Sequence, residues 1–452
     1  MTGIPLIIAF IVAIVVMIIA ISKFKIHPFL SIMAVSLILA LVAGIPLAEV
    51  PSTIGAGFSG TFSSIGIVII LGALIGTILE HTGAALKLAD MVVKLVGKKN
   101  PELAVELMGW VVSIPVFCDS GFVILDPIRK ALVKRTGTSS VAMTAALSAG
   151  LYISHVFVPP TPGPIAAAST LGIGDNLLLV IGLGVACSIL PLIAGLVYAK
   201  FIGKRVKSAD EIHSKNEVTK TYEELVAGYG KLPNGFNALA PIIIPIILMA
   251  LGTIVKQIGV TGTLLDIFTF LGTPIIALAV GTIFAIIQLA LAKKMDQFYS
   301  MTNDTLKVVG PILFVTAAGG VLGKVISSTS MVSFITENSG FLMKVGIFFP
   351  FLLAAILKTA QGSSTVAITT TAGIMVPLME PMGLNSPVLA ALTVMAIGAG
   401  AMTVSHANDS YFWVVTNFGE MTPDQGYKTQ TVMTLVMGVA AMVGIFVLSL
   451  FF

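Results

Sequence analysis

Twelve apolar segments, six on each side of one polar stretch, constrain this chain more than any motif in it. They lie near 4–22, 28–46, 59–79, 103–126, 140–158 and 177–199, then near 238–256, 274–292, 307–326, 345–376, 387–405 and 430–451. Between the sets, residues 200–237 carry Lys204-Arg205, Asp210-Glu211 and Glu223-Glu224. About 20 apolar residues suffice to span a bilayer as a helix, and helices satisfy their own backbone groups inside lipid. Composition agrees: 56% of the 452 residues are hydrophobic and 10% are charged, against roughly a quarter charged in a soluble domain. The expected fold is an all-α polytopic membrane protein whose first partner is the lipid bilayer. A net charge of +4, held in loops, argues against nucleic acid.

Ile4 to Ile21 has the length of a first span. No basic residue precedes it and Lys23 and Lys25 follow it, the reverse of a secretory signal, so it reads as retained. Cys118 and Cys187 have no metal-ligand spacing and read as packing residues, Cys118 as a site neighbour.

The two sets of segments share their order and spacing. Ser154-His155 and Ser405-His406 stand at an offset of 406 − 155 = 251, each at the end of an apolar run. Gly76-Thr77-Ile78-Leu79 resembles Gly323-Lys324-Val325-Ile326 at an offset of 247, and Ser120-Gly121-Phe122-Val123 lies on Ser364-Thr365-Val366-Ala367 at 244. Together these offsets argue for an internal repeat, with residues 1–200 and 238–452 as its halves and 201–237 as a cytoplasmic linker. The repeated Ser-His pairs then read as two equivalent helix breaks.

Basic residues favour the cytoplasmic side. Lys23 and Lys25 put the first loop inside and the N-terminus outside. The 80–102 loop (Lys87, Lys94, Lys98, Lys99) and the loop with Arg129, Lys130, Lys134 and Arg135 both fall inside. One crossing cannot join two inside loops, so segment 103–126 must enter and return as a re-entrant hairpin. Pro115 and Gly121 bracket its expected turn at Val116–Ser120. Loops 46–58, 159–176, 259–273 and 380–386 lack Lys and Arg and fall outside, while 293–307, with Lys293, Lys294 and Lys307, falls inside. A second hairpin, about 345–376, then enters from outside, with its turn near Gln361-Gly362-Ser363-Ser364-Thr365. Lys324 and Lys344 run against this bias. Each half makes about five crossings plus one hairpin, so the second half is inverted relative to the first.

Inverted repeats with broken helices are the design of secondary transporters, with the site between the repeats. Helix starts at such breaks present positive dipole ends that suit a carboxylate. Asp119, an acid at depth, reads either as a cap of the second hairpin helix or as a proton-carrying or hydroxyl-binding group. Asp126, before Pro127, reads as structural. Gln361, Ser363, Ser364 and Thr365 make a donor-rich turn that reads as carboxylate- and hydroxyl-binding, or as polar glue between helices. Lys358 either pairs with an anionic substrate or snorkels to the surface. His155 and His406 titrate near neutral pH when unperturbed and read as proton or packing residues. Asn408, Asp409 and Ser410 follow the second break, with Asp409 a further proton carrier. Thr161-Pro162-Gly163-Pro164 makes a rigid strand that holds the first break open. Gly72 and Gly76 read as helix packing, and His81 and His213 as loop residues.

Four motifs in order then carry a resemblance. Pro115-Val116-Phe117-Cys118-Asp119-Ser120-Gly121-Phe122, the HxxxPPTPGP stretch from His155 to Pro164, Gln361-Gly362-Ser363-Ser364-Thr365-Val366-Ala367 and Ser405-His406-Ala407-Asn408-Asp409 resemble the gluconate:proton symporter family over nearly the whole chain. The resemblance implies uptake of gluconate or a related small hydroxy acid across a bacterial inner membrane, coupled to protons. It also implies the wider ion-transporter superfamily: homodimers with a scaffold domain and a moving, elevator-type transport domain that holds both hairpins. Two departures matter. Many members have His where Thr161 stands, which puts a proton role there in question, and some have Arg near Lys358, where Lys offers a point charge and not a bidentate fork. The family includes carriers of other small acids, D-serine among them, and the motifs do not separate these.

The resulting expectation is a proton-coupled symporter with no cofactor, no metal and no catalytic residue. Asp119, His155, His406 and Asp409 are the proton and hydroxyl candidates, His406 and Asp409 ahead for the proton and His155 for shaping the pocket. Ser120, Gly121, Thr161, Lys358, Gln361, Gly362, Ser363, Ser364, Thr365, Ser405 and Asn408 are the substrate candidates. Sodium coupling through carbonyl and Ser/Thr/Asn oxygens is the nearest rival. An intramembrane enzyme is a further one, although no HExxH, GxSxG or facing Asp pair is present, and a passive channel is a third.

Overall fold

A computed structural model describes residues 3–96, 100–213, 232–257, 261–330, 345–407 and 409–452, without the side chains of Ser22, Thr61, Ser64, Ile65, Arg135 and Gln361. Asn408, Lys98, Lys99, Lys344 and Glu223-Glu224 lie outside the described residues, as does the Gln361 side chain. Among those described, all regular structure is helical. Seven helices among the described residues are long and apolar enough to cross a membrane, or eight if the pair Gly66–His81 and Ala84–Val96, bent by 75°, makes one span. The chain is a multi-pass membrane protein.

Proline and glycine punctuate these helices. Pro28, Pro101, Pro162, Pro274 and Pro387 stand at the first helical turn, where a missing N–H costs nothing and φ is already helical. Gly362 closes the Phe348–Gln361 helix at φ 87°, a left-handed conformation that favours glycine. Helices begin at 28, 50, 101, 118, 140 and 162 in the first half. Their counterparts begin at 274, 298, 348, 364, 387 and 410. The six offsets are 246, 248, 247, 246, 247 and 248.

This register corrects the sequence reading at the Ser-His pairs. Ser154-His155 lies inside the Ser140–Phe157 helix, which runs on to a break at 158–161. Ser405-His406 lies in the break itself, after the Pro387–Met402 helix has ended. The helices around the pairs repeat at 247 and 248, a shorter offset than that between the pairs themselves, so the pairs are not equivalent. The position equivalent to Asp409 is Thr161: each begins the short helix after its break, Ser410–Phe418 or Pro162–Thr170.

Three further corrections follow from the backbone. The first turn is 113–117 and not 116–120, because Phe117 is extended and the Cys118–Thr136 helix starts directly after it. The 80–102 and 259–273 loops contain the helices Ala84–Val96 and Thr263–Gly272. Pro28–Ala43 and Pro387–Met402 have 16 residues each, about 24 Å at helical rise, less than a full crossing.

Packing sorts the helices into two groups. In one, Val50–His81 lies along Phe298–Ser327 and Gly235–Gln257 along Pro274–Leu291. In the other, Pro101–Val112 packs on Ser140–Phe157, Phe348–Gln361 on Pro387–Met402, and Leu177–Ile202 on Val432–Ser449. Glycines let the groups approach closely. A Cβ on Gly76 would sit 2.0 Å from the Pro115 carbonyl oxygen, and one on Gly323 would sit 2.7 Å from that of Gly373. Gly72 meets Pro160 in the same way, which is the packing role its spacing indicated.

Candidate functional site

The turn after Pro101–Val112 and the turn after Phe348–Gln361 meet at one cavity of about 480 Å³, together with the second break. Asp119 and Phe117 face it from the first turn, Gly362 to Val366 from the second, and Asp409 to Tyr411 from the break. His27 and the Val308–Val315 stretch of the Phe298–Ser327 helix close the other side.

The first turn delivers a helix start to this cavity. Ser113 Oγ donates to the Val116 carbonyl at 3.0 Å, and no side chain caps the Cys118–Thr136 helix. Asp119 sits in its first turn, where a carboxylate is favoured by the dipole. Its own oxygens accept from Ser410 Oγ at 3.4 Å and weakly from Cys118 Sγ at 3.8 Å. The capping reading of Asp119 is therefore not realised; the acid faces the cavity. Among the described residues no ion pair reaches it.

The second turn is built differently. Gly362 donates its N–H to the Lys358 carbonyl at 2.8 Å, and Ser363 Oγ caps the next helix by accepting from Val366 N at 3.3 Å. Ser364 and Thr365 lie in that helix and line the cavity. Lys358 neither snorkels nor faces the cavity. It is 1% exposed, and its Nζ donates to the Gly362 carbonyl and to Asp409 Oδ2, the latter at 2.6 Å.

The break supplies that carboxylate. Val404 turns the chain at φ 58°, and Ser405 N is held by Thr434 Oγ1 at 2.9 Å. Ser405 Oγ donates to Asp409 Oδ2 at 2.6 Å, while Asp409 Oδ1 accepts from Tyr411 N at 3.1 Å and so caps the Ser410–Phe418 helix. One carboxylate thus ties the break, the second turn and a helix start together.

The other candidates fall in several places. His155 is buried and lines the cavity, with no partner on Nδ1 and its ring centroid 6.1 Å from Phe117 and 6.4 Å from Tyr152. His406 does not line the cavity; its Nε2 lies 3.0 Å from the Thr359 carbonyl. Thr161 is buried away from the cavity and donates to the Val158 carbonyl at 2.7 Å. Ser120 opens, with Asp119, on a second cavity of about 290 Å³ that also holds Glu80 and Asp304. Gly121 packs on Leu151, whose Cδ2 would lie 2.6 Å from an added Cβ. Among the described residues no group of His, Cys, Asp or Glu gathers as a metal site.

Sequence reasoning missed Tyr411 and a buried ionic knot. Arg129 is fully buried and donates to Asp126 Oδ1 at 2.6 Å, Ser140 Oγ at 2.6 Å and Asp210 Oδ2 at 3.0 Å. Lys130 adds Glu420 at 3.1 Å. The knot joins the Cys118–Thr136 helix to the stretch after Ile202 and to the end of Ser410–Phe418. Asp126 with Arg129 at i, i+3 and with Lys130 at i, i+4 were its local signals.

The comparisons with known proteins agree over the full length. The GntP family permease model matches residues 4–451. An uncharacterised permease of Haemophilus influenzae is 34% identical over 425 residues, 92% of this chain and 86% of its own. The low-affinity gluconate transporter of Escherichia coli K12 is 31% identical over 457 residues, 100% of both chains. A gluconate permease of Pseudomonas aeruginosa is 29% identical across 97% of this chain and 96% of its own. In fold, the chain is similar to the Alcanivorax borkumensis YdaH transporter, described as having an unusual topology, with a TM-score of 0.63 at 15% identity over 94% of this chain and 97% of that one. With a family model spanning residues 4–451 and full-length relatives above 30% identity, the chain belongs to the GntP permease family.

Proposed function

We propose that this permease carries gluconate or a related small hydroxy acid into the bacterial cell across the inner membrane, driven by protons. The observation that carries the reading is the cavity between the two turns. It offers the hydroxyls of Ser363, Ser364 and Thr365, the start of the Ser364–Met375 helix and, on its wall, Asp409, which pairs with Lys358 behind it. Hydroxyl donors and a helix start suit a polyhydroxy carboxylate, and a cavity of about 480 Å³ is of the size that takes a small ligand. The gluconate transporters and the L-idonate transporter among its relatives point to the same substrate class.

The proposal includes the wider architecture. The near-constant helix offsets support two repeats, each with one re-entrant hairpin, at 101–136 and 348–375. Their inversion is supported by the way the second hairpin runs along the Phe298–Ser327 helix from Val315 toward Gly323, whereas the first turn meets the opposite stretch, Thr305 to Val308. The group holding both turns acts as the moving transport domain. The group built on Val50–His81 and Phe298–Ser327 acts as the scaffold, through which a homodimer forms, with the N-terminus outside. Asp119, His155 and Asp409 face the cavity as proton carriers.

Uptake of labelled gluconate by proteoliposomes tests this reading. An inward proton gradient in sodium-free buffer drives accumulation above equilibrium. Accumulation only with a sodium gradient, or formation of a chemical product, contradicts it.

A further inference from the structure

Lys358, the buried cation behind this cavity, is not open to it. Asp409 is on the cavity wall, Lys358 is not, and Asp409 Oδ2 stands 2.6 Å from Lys358 Nζ. Nζ already spends two of its three N–H donors on the Gly362 carbonyl and Asp409 Oδ2, both of them cavity-lining residues, so a second carboxylate coming from the cavity meets Nζ on the side that Oδ2 occupies. An Asp409 carboxylate pushed off the lysine and left charged would be buried without a counter-ion, which a low-dielectric interior penalises far more than the neutral acid. We infer that the substrate carboxylate and Asp409 compete for Lys358, and that Asp409 releases the lysine by taking one proton. This rests on the carboxylate-transport reading above and names how its coupling works.

The proton has a place prepared for it. Ser405 Oγ is 2.6 Å from the same Oδ2. It donates while Asp409 is charged, and once Oδ2 carries a proton the hydroxyl rotates and accepts. Asp409 Oδ1 keeps the Tyr411 N–H at 3.1 Å, so the helix cap survives, and Lys358 keeps the Gly362 carbonyl. The charges balance. Lys358 with Asp409 sums to zero when empty, and Lys358 with the substrate anion sums to zero when loaded, with Asp409 neutral. Neither form carries a bare charge at this pair as the domain moves.

Other titratable groups face Asp409 from each neighbouring element. Cys118 and Asp119 come from the first hairpin, Tyr152 and His155 from Ser140–Phe157, and Tyr411 from its own helix. His406 lies in the same break. Asp119 is the other carboxyl on the cavity, but it blocks no lysine, so the exchange singles out Asp409.

Proton uptake during binding tests the inference. The purified full-length protein is titrated with sodium gluconate in weakly buffered solution containing a pH indicator. The wild type takes up one proton per gluconate bound. Asp409→Asn binds gluconate with one proton fewer, and gluconate raises its Tm by more than it raises that of the wild type, because the ligand supplies the missing counter-charge. The double variant Lys358→Met with Asp409→Asn, which leaves no bare charge, folds and loses gluconate binding. Absence of proton uptake in the wild type, an unchanged proton count in Asp409→Asn, or undiminished binding by the double variant overturns the exchange. Proton-driven accumulation together with an unchanged proton count in Asp409→Asn leaves the transport reading standing and removes the exchange. Proton-linked binding without accumulation does the reverse.

Discussion

In the first half of the molecule Thr161 begins the Pro162–Thr170 helix; in the second, Asp409 begins Ser410–Phe418. Facing them, the helices before the two turns start 348 − 101 = 247 residues apart, and at that offset Val111, next to the end of the first, matches Lys358 of the second. The backbone arrangement recurs while the chemistry does not. A threonine bonded to a nearby carbonyl and a half-buried valine stand where the other half has a buried ion pair. Near-equal offsets between helix starts place the two breaks alike, and the second carries the Lys358–Asp409 ion pair. The first half adds Asp119 and His155 to the cavity without a lysine.

The largest expected difference between the halves is in stability. Lys358→Met leaves Asp409 buried without its partner and should cost about 3–5 kcal/mol, with gluconate uptake falling to background. Val111→Ala at the matching position removes two half-buried methyl groups and should cost about 1 kcal/mol or less. Unfolding of both variants in detergent, followed by intrinsic fluorescence, compares them; equal losses would erase the asymmetry.

The glycines that seat the hairpins give the next contrast. Gly76→Ala drives a Cβ to 2.0 Å from a backbone oxygen, and Gly323→Ala to 2.7 Å. Overpacking of this kind costs about 1–3 kcal/mol, so Gly76→Ala should lie at the upper end and Gly323→Ala below it. Thermal melts of the two variants rank them, and the reverse order would mean that the first turn yields more readily than its packing indicates.

The ionic knot gives a smaller effect with a definite pH dependence. Burial pushes the Asp210 carboxyl up, but Arg129, Ser140 and Lys130 outweigh it and hold the group below its ordinary value. The stabilisation it contributes is therefore complete above the ordinary carboxylate pKa of about 3.9 and is lost as pH falls through the lower folded value. Asp210→Asn should cost about 1–2 kcal/mol at pH 7 and flatten the acid side of the Tm-against-pH curve. An unchanged acid limb would show that this knot does not report on Asp210. Smallest of all, Thr161→Ala should cost less than about 1 kcal/mol, because its hydroxyl caps no helix. Uptake by Thr161→Ala close to the wild-type rate would mark the first break as structural.

Much of this arrangement was legible in the chain, and the reasons it was partial are physical. Long apolar runs and the prolines at helix starts announce crossings and breaks because lipid and a missing N–H act locally. Apolar runs of membrane-spanning length pass over helices as short as Pro162–Thr170 and Thr263–Gly272. The Ser-His pairs misled because an identical dipeptide need not share a helical register. The Lys358–Asp409 pair spans 51 residues and the Arg129–Asp210 contact spans 81. No periodicity encodes such partners; packing of the two helix groups brings them together. The residue types around the cavity could be read in advance, but the pairing of Lys358 with Asp409 could not.

The most direct test of the charge asymmetry compares the wild type with Asp409→Asn in proteoliposomes under an inward proton gradient. The wild type should accumulate labelled gluconate above equilibrium. Asp409→Asn should exchange internal for external gluconate, since its loaded form is neutral at the pair, yet fail to accumulate it, since its empty form carries a bare lysine charge. Accumulation by Asp409→Asn to the wild-type level would contradict the account.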